Sequence, residues 1–256
     1  MKRRNLKTAS KLSAKLSNDA NPAKKQKMSK SPHVSGNTVS PYFQKTEQKR
    51  LGSAFYHQEC IQLSKSLLGK VLVRKLNGKR LSGRIVETEA YLGIKDSACH
   101  SYKGHQSDNN KAMWMDPGYV YVYLIYGMYH CMNISGKGDG NAVLLRGLEP
   151  VDGEEVMQKL RSKRRKSSTE LKRKALCSGP GKLTEALQIT KALFDKESLV
   201  TNSEMWVEDA PVISDDDIVS CPRIGIDYAT KEWKEKPLRF YIRGNACVSK
   251  RDKGAE

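Results

Sequence analysis

The chain lacks any uninterrupted apolar run of the roughly 20 residues that a membrane-spanning helix requires. Its first residues carry no apolar core of the kind found in a signal peptide. Cysteine is sparse and scattered, with Cys60, Cys99, Cys131, Cys177, Cys221 and Cys247 spaced 26 to 46 residues apart. That spacing holds no C-x-x-C pair, so no zinc site is indicated, and neither metal nor cofactor is expected. Several of these thiols sit within apolar runs, as reduced core residues do, which points to a reducing, intracellular compartment. Internal repeats are absent. Acidic residues are in short supply too: 28 Asp and Glu stand against 46 Lys and Arg, for a net charge of +18. Such an excess favours polyanionic partners, nucleic acid ahead of an anionic membrane surface.

The 256 residues suffice for one sizeable core with tails to spare. Residues 1–50 contribute 13 Lys and Arg against Asp19 and Glu47, or +11 of the total charge. Few branched or aromatic side chains interrupt their Ser, Asn, Lys and Pro, so this segment is expected to be a disordered basic tail. Lys2-Arg3-Arg4 and Lys24-Lys25-Gln26-Lys27 read as nuclear import signals or as a merely solubilising tail. Pro41-Tyr42-Phe43 is the one hydrophobic patch there, a docking motif or a chance pair.

Folding is expected from Leu51 to residue 250, with 251–256 as a short C-terminal tail. The spacing of Ile61, Leu63, Leu67 and Leu68 predicts a helix over 55–68, closed by Gly69. Val71-Leu72-Val73 reads as a strand, Asn77-Gly78 as a hairpin turn, and 83–91 as the returning strand. On that strand Glu87, Glu89 and Tyr91 alternate, so they share one face. Paired carboxylates raise each other's pKa, as burial does, which suits a general base. By itself, though, the pattern reads first as a solvated outer face, since charged residues are mostly exposed.

The densest pattern is Y-V-Y-V-Y-L-I-Y-G-M-Y-H-C-M-N-I-S, from Tyr119 to Ser135, which holds five of the 11 tyrosines. Its period-2 alternation up to Leu124 predicts a strand, Tyr126-Gly127-Met128 a tight tip with an exposed aromatic, and 129–135 a second strand. Tyrosine suits stacking on nucleobases, and it suits a sheet core as well. The polar stretch 94–117, which contains His100 and His105, reads as a functional loop.

Beyond it, 151–166 reads as a helix that runs into a basic cluster, Lys163 to Lys166 and Lys172 to Lys174. That cluster would grip a phosphate backbone or form a mobile surface loop. Ser178-Gly179-Pro180-Gly181-Lys182 opens a helix expected over 183–193, and its start suits an anion such as a DNA phosphate, or is simply a structural turn. Trp206-Val207, 211–213, 223–226 and 238–244 read as short strands.

Taken together, the E-T-E-A-Y, Y-V-Y-L-I-Y-G-M-Y and G-P-G-K-L motifs, in that order, make the chain resemble the alkyladenine (3-methyladenine) DNA glycosylase family of the vertebrate type. The resemblance covers about residues 51–250. It implies a mixed α/β (α+β) fold, a single compact domain with a curved antiparallel sheet and surrounding helices. It also implies a monomer that acts on double-stranded DNA with damaged purine bases, without metal or cofactor. By resemblance, Glu89 is the general base that activates a water against C1′ of a flipped nucleotide, and Arg146 and the Ile224 carbonyl help hold that water. Tyr91, His100 and Tyr123 match the walls that sandwich the base. Asn133 matches the pocket residue that screens out guanine, with Leu144 beside it. Tyr126 matches the side chain inserted into the minor groove, and Met128 follows in the same tip. Lys182, Ser178 and Gly179 are DNA-backbone candidates.

The family usually has Arg where this chain has Asn109, and often a basic residue where it has His105. These departures bear on loop–phosphate contacts rather than on the carboxylate. The resemblance and the basic tail together imply a eukaryotic nuclear repair enzyme, with import and repair partners served by residues 1–50. The alternatives are a catalytically silent nucleic-acid-binding module that kept the fold, and a glycosylase/lyase using a lysine Schiff base.

Overall fold

Asn77 and Gly78 both adopt positive φ, 49° and 75°, the backbone that a two-residue hairpin turn needs. They join β1 (Val71–Leu76) to β2 (Lys79–Tyr91), with Leu76 opposite Lys79. The computed structural model describes residues 49–163, 165 and 169–255. The import-signal candidates, the Pro41-Tyr42-Phe43 patch, Arg164 and 166–168 lie outside the described residues.

β2 is the spine of a curled antiparallel sheet. One edge pairs along its length with β5 (Ala142–Asp152). The other edge pairs with β1 over its first half and with β8 (Arg239–Ile242) at Glu87 to Glu89. The hairpin of β3 (Val120–Ile125) and β4 (Tyr129–Ser135) extends the sheet beyond β5. At the other margins, β6 (Met205–Glu208) pairs with β1, and β7 (Ile218–Cys221) with β8. Helices surround this sheet, as expected of the mixed α/β class. They are α1 (Ser53–Tyr56), α2 (Cys60–Ser66), α3 (Glu154–Ser162), α4 (Pro180–Ala186), α5 (Lys191–Phe194) and α6 (Lys231–Glu235). Leu63, Leu67, Ile85, Met132, Leu145 and Phe194 are among the wholly buried side chains of the core. No helix among the described residues is long and apolar enough to cross a membrane.

Several expectations need correction. The helix over 55–68 is two, α1 and α2, broken at His57. Ile61 is 40% exposed, because Cys60, Leu63, Ser64 and Leu67 occupy the inward face at the i, i+3, i+4 spacing. The helix over 183–193 is also split, into α4 and α5, with Gln188 at φ 52° between them. Residues 223–226 form no strand; Gly225 has φ 75°, and the strand lies just before them, at β7. Residues 211–213 also stay outside the sheet. The solvated reading of Glu87 and Glu89 fails, since both are wholly buried. All six cysteines are buried and free.

Candidate active site

Opposed residues on neighbouring antiparallel strands point to the same face. Register therefore lines up one transverse row, Tyr121–Asn133–Leu144–Glu89–Arg239–Cys221, across β3, β4, β5, β2, β8 and β7. Tyr91, two residues along from Glu89, lies on that same face. Arg146 gets there by a different route. Thr88 faces Leu145 and Glu87 faces Gly147, so Arg146 is the extra residue of a β-bulge. A bulge re-aims the side chain it carries, and here it sets the guanidinium between Glu87 and Glu89, 3.3 Å from each.

Glu89 is tied from three directions. Its Oε1 accepts the Ile224 N–H at 2.8 Å and faces Arg146 Nη1 at 3.3 Å, while Oε2 accepts the Tyr91 hydroxyl at 2.9 Å. The Ile224 contact is thus through its amide. Burial, and then the Glu89 charge, push the Tyr91 phenol well above its ordinary pKa, so it stays a donor. Burial works against the charged Arg146, but Glu89 and Glu87 outweigh it and raise its pKa.

Beside this carboxylate a narrow cavity is lined by Tyr91, His100, Tyr121, Tyr123, Asn133 and Tyr228, with Ala98, Cys99, Met113 and Ala142. His100 stands nearly perpendicular to Tyr123, ring centroids 4.7 Å apart at 76°, and its Nδ1 lies 2.7 Å from the Tyr121 hydroxyl. Burial, then His105, lowers the His100 pKa, so the ring is neutral at neutral pH. The 94–117 loop is clamped from inside. Asn110 donates to the His100 and His105 carbonyls at 3.1 and 2.9 Å, and Ser101 donates to the Gly140 carbonyl at 2.6 Å. The Asp96 carboxylate takes Arg223 at 2.6 and 2.9 Å, and the Arg223 guanidinium lies 4.6 Å from the centre of the Tyr91 ring. Asn133 is buried, with its amide held by the Tyr121 carbonyl at 3.2 Å.

Tyr126 lies away from the cavity, at the hairpin tip. It is 86% exposed, and with Gly127 it adopts positive φ, 51° and 68°. Met128 and Leu124 are exposed beside it. Ser178, Gly179 and Lys182 sit at the start of α4. This region abuts the hairpin: a Cβ on Gly181 would lie 3.2 Å from the Tyr129 Cβ.

The sequence that builds this site matches known proteins. A family model described as methylpurine-DNA glycosylase matches residues 54–246. The chain belongs to the methylpurine-DNA glycosylase family. It is 50% identical over 231 residues to a Homo sapiens DNA-3-methyladenine glycosylase, covering 88% of this chain and 77% of that protein. It is 47% identical over 208 residues to a putative 3-methyladenine DNA glycosylase of Clostridium perfringens, covering 79% of this chain and all of that protein. A probable DNA-3-methyladenine glycosylase of Encephalitozoon cuniculi is 44% identical over 198 residues, covering 76% and 92%. Membership of this methylpurine-DNA glycosylase family makes the chain a DNA glycosylase of base excision repair.

Sequence reasoning left out four residues that the structure sets around this cavity, its carboxylate and its loop. Tyr121 was indistinguishable from scaffold, although its place between Tyr119 and Tyr123 was a usable signal. Tyr228 stands alone in an irregular segment and gives none. Glu87 looked solvent-facing until its partners were known. Lys191, far along the chain, donates to Asn109 Oδ1 at 3.0 Å and so brings a cation to the loop.

Proposed function

We propose that the chain flips damaged purines of the 3-methyladenine, 7-methylguanine, hypoxanthine and ethenoadenine type out of duplex DNA and hydrolyses the N-glycosidic bond. The observation that carries this reading is the convergence of Tyr91, Arg146 and the Ile224 amide on Glu89, beside an aromatic-walled cavity.

The bond breaks with positive charge developing in the sugar, as in glycoside hydrolysis. Glu89 stabilises that charge and takes a proton from the attacking water. A carboxylate oxygen can accept two hydrogen bonds, so Oε2 has capacity for that water beside the Tyr91 hydroxyl. Arg146 and the Ile224 backbone position the water. Tyr91, His100 and Tyr123 hold the base between them; an electron-poor, often cationic purine gains roughly 0.5–2 kcal/mol against such faces. A neutral His100 adds no repulsion. Asn133, backed by Leu144, rejects the exocyclic amino group of guanine. Tyr126, with Met128, fills the gap the base leaves, offsetting part of an unstacking cost of a few kcal/mol. Lys182, Ser178 and Gly179 contact the backbone, and Lys191 supplies charge beside Asn109. No lysine lines the cavity among the described residues, which favours water over a Schiff base as the nucleophile.

The basic residues 1–50 fit nuclear import and contact with repair partners. Base-release profiling on duplexes that each carry one defined lesion tests the reading. Release of several alkylated and deaminated purines is expected, and no release from any member of the panel would overturn it.

A further inference from the structure

Glu87 is wholly buried, lines no part of the base cavity, and still collects four donors. Its Oε1 accepts Arg239 Nη1 at 3.0 Å, Ser249 Oγ at 2.9 Å and Arg146 Nε at 3.3 Å, while Oε2 accepts the Ser249 N–H at 2.7 Å. We propose that Glu87 is a positioning residue for base release, holding the Arg146 guanidinium in the orientation that leaves Glu89 reactive, with segment 247–250 locking it there. This inference rests on the roles given above to Glu89 and Arg146.

As the extra residue of a bulge, Arg146 is not held by strand register, so its orientation is set by its partners. Three of its nitrogens face three different groups: Nε faces Glu87, Nη1 faces Glu89 at 3.3 Å, and Nη2 donates to Ser249 Oγ at 3.5 Å. That fixes the plane of the guanidinium. A guanidinium beside a single carboxylate tends to turn its fork onto both oxygens. With Glu87 gone, Arg146 would close in that way on Glu89 and occupy the oxygen needed for water. Glu87 competes for the guanidinium and keeps Glu89 to one contact from it.

The lock comes from the last described part of the chain. Arg239 reaches Glu87 and also donates to the Lys250 carbonyl at 2.6 Å and, through Nε, to the Pro222 carbonyl at 3.0 Å. The network is thereby joined to the loop that carries Ile224. Gly147 lets the segment come close: a Cβ there would lie 3.1 Å from the Cys247 carbonyl oxygen and 3.3 Å from the Glu87 Cβ. The first glutamate of E-T-E-A-Y thus has a task distinct from that of the second.

The test is single-turnover base release from a hypoxanthine-containing duplex by Glu87→Gln and Ser249→Ala, each alone and combined with Arg146→Ala. Affinity for the lesion duplex is measured alongside. Glu87→Gln should lower the release constant by about 100-fold, the effect of a misplaced catalytic group, with Kd unchanged. Ser249→Ala should lower it about fivefold, the effect of one lost hydrogen bond, and Ser249→Thr, which keeps the hydroxyl, should restore it. Neither change should slow the Arg146→Ala protein further, because groups acting through one another are non-additive. Wild-type rates for both variants, or effects that multiply in the Arg146→Ala background, would overturn the inference. A wild-type rate for Arg146→Ala alone would instead contradict the reading of the site. If Glu87→Gln does not fold, the Ser249 variants decide.

Discussion

The Tyr91 hydroxyl donates to Glu89 Oε2 at 2.9 Å, while the Tyr91 ring forms part of the cavity wall. One side chain therefore couples the place where a base would stack to the carboxylate that would act on its sugar. The spacing is set by β2 itself, since residues two apart on a strand share a face.

Replacing Glu89 with Gln keeps size and polarity but removes the base. Release of hypoxanthine from a duplex should fall between about 100-fold and 10,000-fold, the usual contribution of general acid–base catalysis. Affinity for the same duplex should persist in a gel-shift titration. Full activity would sink the mechanism.

At the hairpin tip, Tyr126→Ser removes an exposed ring without disturbing the core. The flipping equilibrium, followed by 2-aminopurine fluorescence beside a lesion, should drop about tenfold, equivalent to about 1.4 kcal/mol. Binding to undamaged duplex should change little. An unaltered flipping signal would remove Tyr126 from the wedge role.

His100 supplies a pH dependence whose sign can be worked out. Its folded-state pKa lies below the unfolded value of about 6.5. Above that pH both states are neutral and nothing is lost. As the pH falls below about 6.5 the unfolded chain takes up a proton first, so stability declines until the folded-state pKa is reached. Thermal melts should show a shallower decline below about pH 6.5 for His100→Gln. Equal slopes for both proteins would show that His100 does not govern this range.

The Arg223–Asp96 pair has no exposed side-chain surface on either partner. Asp96→Ala would leave a buried guanidinium uncompensated, which costs about 3–5 kcal/mol. It would also free the loop before His100 and the strand end at Tyr91, both of which Asp96 holds through the Leu92 and Ala98 amides. Denaturant midpoints check the first effect. A loss under about 1 kcal/mol would place the pair among weak surface-type contacts instead.

Local chemistry made much of this protein legible in its sequence. Asn77-Gly78 marked the β1–β2 hairpin because both residues tolerate positive φ. The alternation at Glu87, Glu89 and Tyr91 put three polar groups on one face. The tyrosine run marked the second hairpin and its exposed tip. Motifs in order pointed to the family, and the comparisons agree. Helix ends were less readable, because Gln188 and His57 interrupt patterns whose apolar spacing looks continuous.

Only the tertiary structure decided that both faces of β2 are buried, including the one that carries Glu87 and Glu89. Periodicity places side chains on a face but says nothing about what covers it. Arg146, Arg239 and the 247–250 segment cover this one, their contacts with Glu87 spanning 59 to 162 residues of chain. The position of Arg146 depends on a bulge, a mismatch between two strands that neither strand's own pattern records. Tyr228, Lys191 and Asp96 likewise gain their meaning from partners distant in sequence. Glu89 was named by its motif, and its surroundings were assembled by the fold.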